Sequence, residues 1–177
     1  IDAALASKRL DPERVIVGEE IQTTQGELIG YFMSEWIPPG LEPLDTIKHL
    51  RAQGAVISVP HPFDRERGPQ WTEAQLKMIT PYVDAIETFN ARCLGNQPNT
   101  QAQAFAKAYR LLQTVGSDAH SLWELGRASL QMTDFNNPEE FKAALEDAEQ
   151  VTRLSPAFVH LFSRFAVFRK RITKRTC

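Results

Sequence analysis

Short apolar runs alternate with amphipathic helical stretches along most of this chain, and that alternation limits what it can fold into. Runs that read as strands lie at residues 15–17, 28–33, 55–59, 83–86 and 111–115, each bounded by glycine, proline or polar residues. Between them fall helical patterns. One covers 43–53, with Pro43 at an early helical position, a stripe of Leu44, Ile47 and Leu50, and Gly54 as its stop. A second opens on Thr72-Glu73-Ala74-Gln75, a capping-box pattern, and runs toward Ile79. A third, rich in alanine, spans about 100–109. Strand–helix alternation of this kind predicts parallel pairing with helices outside, as a (β/α) barrel or an open doubly wound sheet. Both architectures gather their chemistry beyond the carboxyl ends of the strands.

The residues expected at those ends are the types that bind cations. Val115-Gly116-Ser117-Asp118-Ala119-His120 puts a carboxylate and an imidazole two apart, just after a buried strand. Such a pair can converge on one ion, with Gly116 expected to ease the turn. His61 lies between Pro60 and Pro62, whose fixed φ angles limit how far the ring can wander. Glu19 and Glu20 are adjacent, so in a strand one enters the site while the other faces water. Glu87, Asn90 and Arg92 form a polar cluster after the 83–86 run. There Arg92 can fork onto a phosphate or pair with a neighbouring carboxylate. Glu27 stands beside a turn. His49 and His160 fall on helices away from the strand ends, and Cys93 reads as a buried small hydrophobe or a spare thiol. There is no nucleophile elbow, Walker loop or glycine-rich dinucleotide turn.

Charge narrows the partners. Seven Lys or Arg and no acid lie from Val151 onward, whereas the first 150 residues carry 13 basic and 22 acidic groups. An acidic body argues against a broad nucleic-acid-binding face and suits a site that holds cations. No apolar run approaches the roughly 20 residues of a membrane span, and no signal peptide is visible. Two cysteines make no disulfide framework, so a reducing cytoplasm is expected. Further on, 130–133 reads as a weak strand and Asn137-Pro138 opens a helix carrying Phe141, Ala144, Leu145 and Ala148. Ser155-Pro156 is expected to open a final helix that packs on the domain and ends in the basic tail.

Four segments together resemble the PHP (polymerase and histidinol phosphatase) family, in particular its stand-alone metal-dependent phosphoesterases. Gly18-Glu19-Glu20-Ile21 is similar to the family's Gly-x-Glu segment, and Pro60-His61-Pro62 to its His-Pro segment. Glu87-Thr88-Phe89-Asn90 resembles its strand-end Glu-x-x-Asn, and Gly116-Ser117-Asp118-Ala119-His120 its Gly-Ser-Asp-x-His. The resemblance covers about residues 1–155. It implies an α/β fold, a distorted (β/α)7 TIM-like barrel, here lacking its first one or two strands. The family's His-x-His and Thr-Asp-His segments do not occur in this chain, and Ile1-Asp2-Ala3-Ala4 resembles the stretch just after Thr-Asp-His in relatives. On this basis residues 1–155 are expected to form a partial barrel and 156–177 a C-terminal helix with a basic tail.

The resemblance also implies two or three divalent metal ions (Zn, Mn or Fe, with Mg admissible) and hydrolysis of phosphate esters. Glu20 would bridge two metals, with His61, Asp118 and His120 as further ligands, these four carrying catalysis. Glu27 falls where many relatives have a histidine ligand. Arg92, Asn90 and Glu87 are expected to contact a small phosphorylated substrate or a nucleotide. Two rival functions remain at this level: a barrel metallohydrolase of amidohydrolase type, and a catalytically inactive module kept for interaction.

Overall fold

In the computed structural model, which describes residues 1–66 and 70–156, the turn at residues 23–26 sets the first feature of the fold. Thr23 Oγ1 accepts the backbone N–H groups of Gln25 (3.2 Å) and Gly26 (3.1 Å). A connection this short can only reverse the chain. It folds β1 (Gly18–Gln22) back onto β2 (Glu27–Tyr31) as an antiparallel hairpin. β2 in turn pairs antiparallel with β3 (Val56–Val59), and β3 pairs parallel with β4 (Ala85–Asn90) and β4 with β5 (Leu112–Gly116). The sheet order is β1-β2-β3-β4-β5. Thus β1, β3, β4 and β5 all run one way, as the alternation predicts, and β2 is the reversed strand, which it does not.

Helices close one face of this sheet. The helix α1 (Asp2–Leu10) precedes β1; α2 (Pro43–Ala52), α3 (Glu73–Ile79) and α4 (Gln97–Tyr109) follow β2, β3 and β4. Ile47 and Leu50 of α2, Leu76 and Ile79 of α3, and Phe105 of α4 pack on Ile21, Leu28, Ile57, Val59 and Ile86 of the strands. Burying side chains of this kind contributes about 1.5–3 kcal/mol each. Thr72 completes the expected capping box at α3, its hydroxyl accepting the Gln75 N–H while the Gln75 side chain accepts at Thr72. Leu44, expected in the α2 stripe, is exposed, and Thr46 is buried in its stead.

The opposite face carries Tyr31, Ser58 and Thr114, and Ser58 and Thr114 share a buried hydroxyl–hydroxyl bond of 2.9 Å. Beyond β5, β6 (Ala128–Gln131) and β7 (Glu149–Thr152) form a separate antiparallel pair around α5 (Pro138–Glu146). Phe141 and Leu145 of α5 pack on Val56, with Tyr31 and Phe32 against them. Asn137 caps α5, as its sequence position predicts, by accepting the Glu140 N–H at 2.9 Å.

Three boundaries differ from expectation. Residues 15–17 are not a strand; pairing begins at Gly18, where the partner Tyr31 becomes available. The strand expected at 83–86 extends to Asn90 and carries Glu87 inside it, because a register shift between Glu87 and Phe89 keeps it paired with β5. The strand β7 carries no apolar run to announce it. Among the described residues the five-stranded sheet is open and no barrel is closed, so what is seen of the expected partial (β/α)7 barrel is a mixed α/β sheet with helices. The helix expected at the C-terminal tail lies outside the described residues from 157 onward. No helix among the described residues is long and apolar enough to cross a membrane.

Candidate metal centre

The reversed strand explains how Glu27 reaches the site. The hairpin register pairs Glu20 with Ile29 and Gln22 with Glu27. Glu20 and Glu27 are therefore diagonal neighbours on one face. Because β2 runs backward, its first residue stands at the same rim as the carboxyl ends of β1 and β3. His61, two residues past β3, completes the group, its backbone held at φ +27° between the two prolines. That left-handed conformation is uncommon for a residue with a side chain and is held only where the surroundings over-determine it. His61 Nε2 lies 2.9 Å from Glu20 Oε1 and 3.3 Å from Glu27 Oε2.

One ligand atom from each of these three residues lies within 4.8 Å of the others. Ligands about 2.1 Å from a tetrahedral ion stand about 3.4 Å apart, so the spacing suits a divalent cation. The chemistry agrees, since two carboxylates facing one imidazole concentrate negative charge that an ion would neutralise. This donor set fits a metal.

A second group stands across the same cavity. Glu87, inside β4, is buried. Its Oε2 accepts the His61 backbone N–H at 2.7 Å and an Asn90 Nδ2–H at 3.1 Å. Asn90 also donates to Asp118 Oδ2 at 3.2 Å. Asp118 itself has φ +47°. The left-handed residue of the Gly116–His120 stretch is therefore Asp118, not Gly116. What requires glycine at 116 is space: a Cβ there would fall 2.0 Å from Glu87 Oε1.

Glu20, Tyr31, His61, Glu87, Asn90 and Asp118 line a cavity of about 340 Å³. Burial raises the Glu87 carboxyl above its ordinary range, and Asp118 adds to the shift. His61 and the Asn90 hydrogen bond oppose it. Burial likewise pushes the Tyr31 phenol far up, with Glu87 reinforcing it, so Tyr31 stays a neutral hydroxyl. No sequence motif marks Tyr31; its only signal is sharing a strand face with Glu27 and Ile29.

Two expected residues stand apart from this cavity. His120 is on the same loop as Asp118, but its ring is over half exposed, and Nδ1 lies 2.9 Å from the Asp118 carbonyl oxygen. Arg92, expected at a phosphate, is buried and forms an ion pair of 3.2 Å with Glu124. Of the adjacent pair Glu19 and Glu20, Glu19 is largely buried and accepts the Ile37 N–H at 3.4 Å. His49 is exposed on α2, as anticipated, and Cys93 is buried.

Fold and site together define a mixed α/β protein with carboxylate and imidazole ligand types at the rim of its parallel strands. A family model described as PHP-associated matches residues 96–149. The uncharacterized protein MJ0417 of Methanocaldococcus jannaschii is 38% identical over 136 residues, 71% of this chain and 57% of that protein. The chain thus spans a little over half the length of this curated relative. Among solved structures, PsfC from Pseudomonas syringae superposes with a TM-score of 0.59 at 18% identity, over 88% of this chain and 65% of that one. A two-domain protein from Bacteroides vulgatus, described as containing a predicted PHP-like metal-dependent phosphoesterase, gives 0.60 at 17% identity. That match covers 86% of this chain and 48% of the other. The PHP-associated match over residues 96–149 and the likeness in fold to a PHP-like protein support a PHP-domain protein.

Proposed function

We propose that this chain carries the catalytic portion of a PHP-type metal-dependent phosphoesterase, its open sheet forming part of a distorted seven-stranded (β/α) barrel. The observation that carries this reading is the convergence of Glu20, Glu27 and His61, with Asp118 across the same cavity. The likeness in fold to the Bacteroides vulgatus protein, described as containing a predicted phosphoesterase of this type, supports it. The catalytic unit runs to about residue 155, where the Ser155 N–H still bonds the Ala91 carbonyl at 2.7 Å.

When bound, two or three divalent ions (zinc, manganese or iron, with magnesium admissible) polarise phosphoryl oxygens and acidify water. Glu20, Glu27 and Asp118 would hold them through carboxylate oxygens and His61 through a ring nitrogen, with His120 as a further ligand from the exposed part of the Asp118 loop. Asn90 fixes the Asp118 carboxylate, and Glu87 fixes the His61 backbone. Glu87, Asn90 and the neutral Tyr31 hydroxyl face a small phosphorylated molecule or a nucleotide. We assign the reaction to the cytoplasm, as expected of a sequence whose two cysteines make no disulfide framework.

The test is metal content and turnover of the full chain, with Glu20→Gln and His61→Ala beside it. The expected result is a stoichiometric divalent ion and metal-dependent hydrolysis of p-nitrophenyl phosphate. Both variants should bind metal more than about tenfold more weakly. Hydrolysis of a matching amide or lactone in place of the phosphate ester would make it an amidohydrolase-type enzyme. A purified chain that takes up no divalent ion would make it an interaction module.

A further inference from the structure

Burial is inverted over residues 122–125. Leu122, Trp123 and Leu125 are 84%, 79% and 64% exposed, whereas Glu124 between them is 1% exposed. Hiding a carboxylate while three large apolar side chains face water runs against ordinary partitioning, so specific partners must hold Glu124 inside.

Its two oxygens have different ones. Oε1 lies 3.2 Å from Nη1 of Arg92, itself 6% exposed. Oε2 accepts the His120 backbone N–H at 3.1 Å and the Ser121 hydroxyl at 2.8 Å. Arg92 is anchored in turn, its backbone N–H donating to Asn90 Oδ1 at 2.9 Å, while Asn90 Nδ2 donates to Asp118. A closed ring of direct contacts therefore runs Asp118–Asn90–Arg92–Glu124–His120 and returns along the backbone. It ties the loop after β4 to the loop after β5.

We propose that Arg92 and Glu124 are positioning residues: their buried ion pair sets where the Asp118–His120 loop presents its ligand atoms, with Arg92 acting through Glu124 and not on substrate. The inference rests on the metal-centre reading above. A buried ion pair is a weak device for stability but a demanding one for geometry. The loop it grips holds Asp118 at a positive φ, which needs such over-determination. Partners of this kind behind metal ligands typically change affinity about 10–100-fold when removed.

The experiment uses the full chain, titrated with Mn²⁺ alone by calorimetry, with amide hydrogen exchange followed residue by residue. Ile57 serves as the control amide, since its N–H donates to Asp84, outside the ring of contacts just described. Two variants are compared with the parent. Glu124→Gln removes the charge. The double variant Arg92→Met with Glu124→Leu removes the pair without stranding a buried charge, and so guards against simple failure to fold. The expected result in both is Mn²⁺ affinity lower by about 10–100-fold, with faster exchange at His120 and unchanged protection at Ile57. Unchanged Mn²⁺ affinity in a variant that retains Ile57 protection overturns the proposal. If the parent itself binds no Mn²⁺, the metal-centre reading fails. In that case unaltered His120 exchange in the double variant overturns the positioning role, and faster exchange upholds it.

Discussion

Replacing Gly116 by alanine tests the most crowded point of the site without reference to any substrate. The new Cβ would lie 2.0 Å from Glu87 Oε1 and 3.1 Å from its Cδ, whereas real Cβ atoms essentially never come within 3.0 Å of a neighbour. The carboxylate must therefore retreat by about 1 Å. It is pinned on its other side by the His61 N–H at 2.7 Å and Asn90 Nδ2 at 3.1 Å. A displacement of about 1 Å against these donors takes the short His61 contact out of hydrogen-bonding geometry. Losing a hydrogen bond to a carboxylate costs about 1.5–3 kcal/mol, and overpacking about 1–3 kcal/mol. Partial relaxation makes these overlap, and we expect a loss of about 3 kcal/mol. For a chain of this size that is a fall in Tm of roughly 6–12 °C. Urea denaturation of Gly116→Ala, Glu87→Ala and the double variant measures it. If the clash with Glu87 is the cause, Gly116→Ala should add less than about 0.5 kcal/mol in the Glu87→Ala background. A single variant as stable as the parent, or strict additivity in the cycle, would refute the reasoning.

Two further outcomes come from one buried and one half-buried carboxylate. Burial raises Glu87 above its ordinary value of 4.5, so in metal-free protein the native state holds a proton that the unfolded state releases. Its contribution is fully present below pH 4.5 and is lost as pH rises through the folded-state value. Glu87→Gln should therefore remove that downward slope in urea midpoints measured with chelator present, and parallel curves for parent and variant would exclude it. Asp84 accepts the Ile57 N–H at 2.8 Å and both guanidinium nitrogens of Arg51, at 2.8 and 3.1 Å. Arg51 is substantially exposed, so the ion pair itself contributes little. Stranding the sheet amide should make Asp84→Ala cost about 2 kcal/mol, and Asp84→Asn less than half of that, by the same denaturation measurement.

Much of this architecture was legible in the chain. Apolar runs broken by Gly54, Pro60 and Gly116 mark β3 and β5 to within a residue, and Thr72 and Asn137 mark where α3 and α5 begin, because capping chemistry is local. The placement of Glu20, His61, Glu87 and Asp118 around one rim also came from the alternation, since parallel strands deliver their carboxyl ends to one side. Local pattern could not supply the direction of β2. A four-residue turn fixes it, and only with the direction reversed does Glu27 stand beside Glu20 and His61. Nor could it supply the partner of Arg92, which comes from a segment whose other residues are apolar and exposed. Helix caps and strand periods are written in neighbouring residues. The meeting of distant side chains depends on register, strand direction and available space, which exist only once the chain has closed on itself.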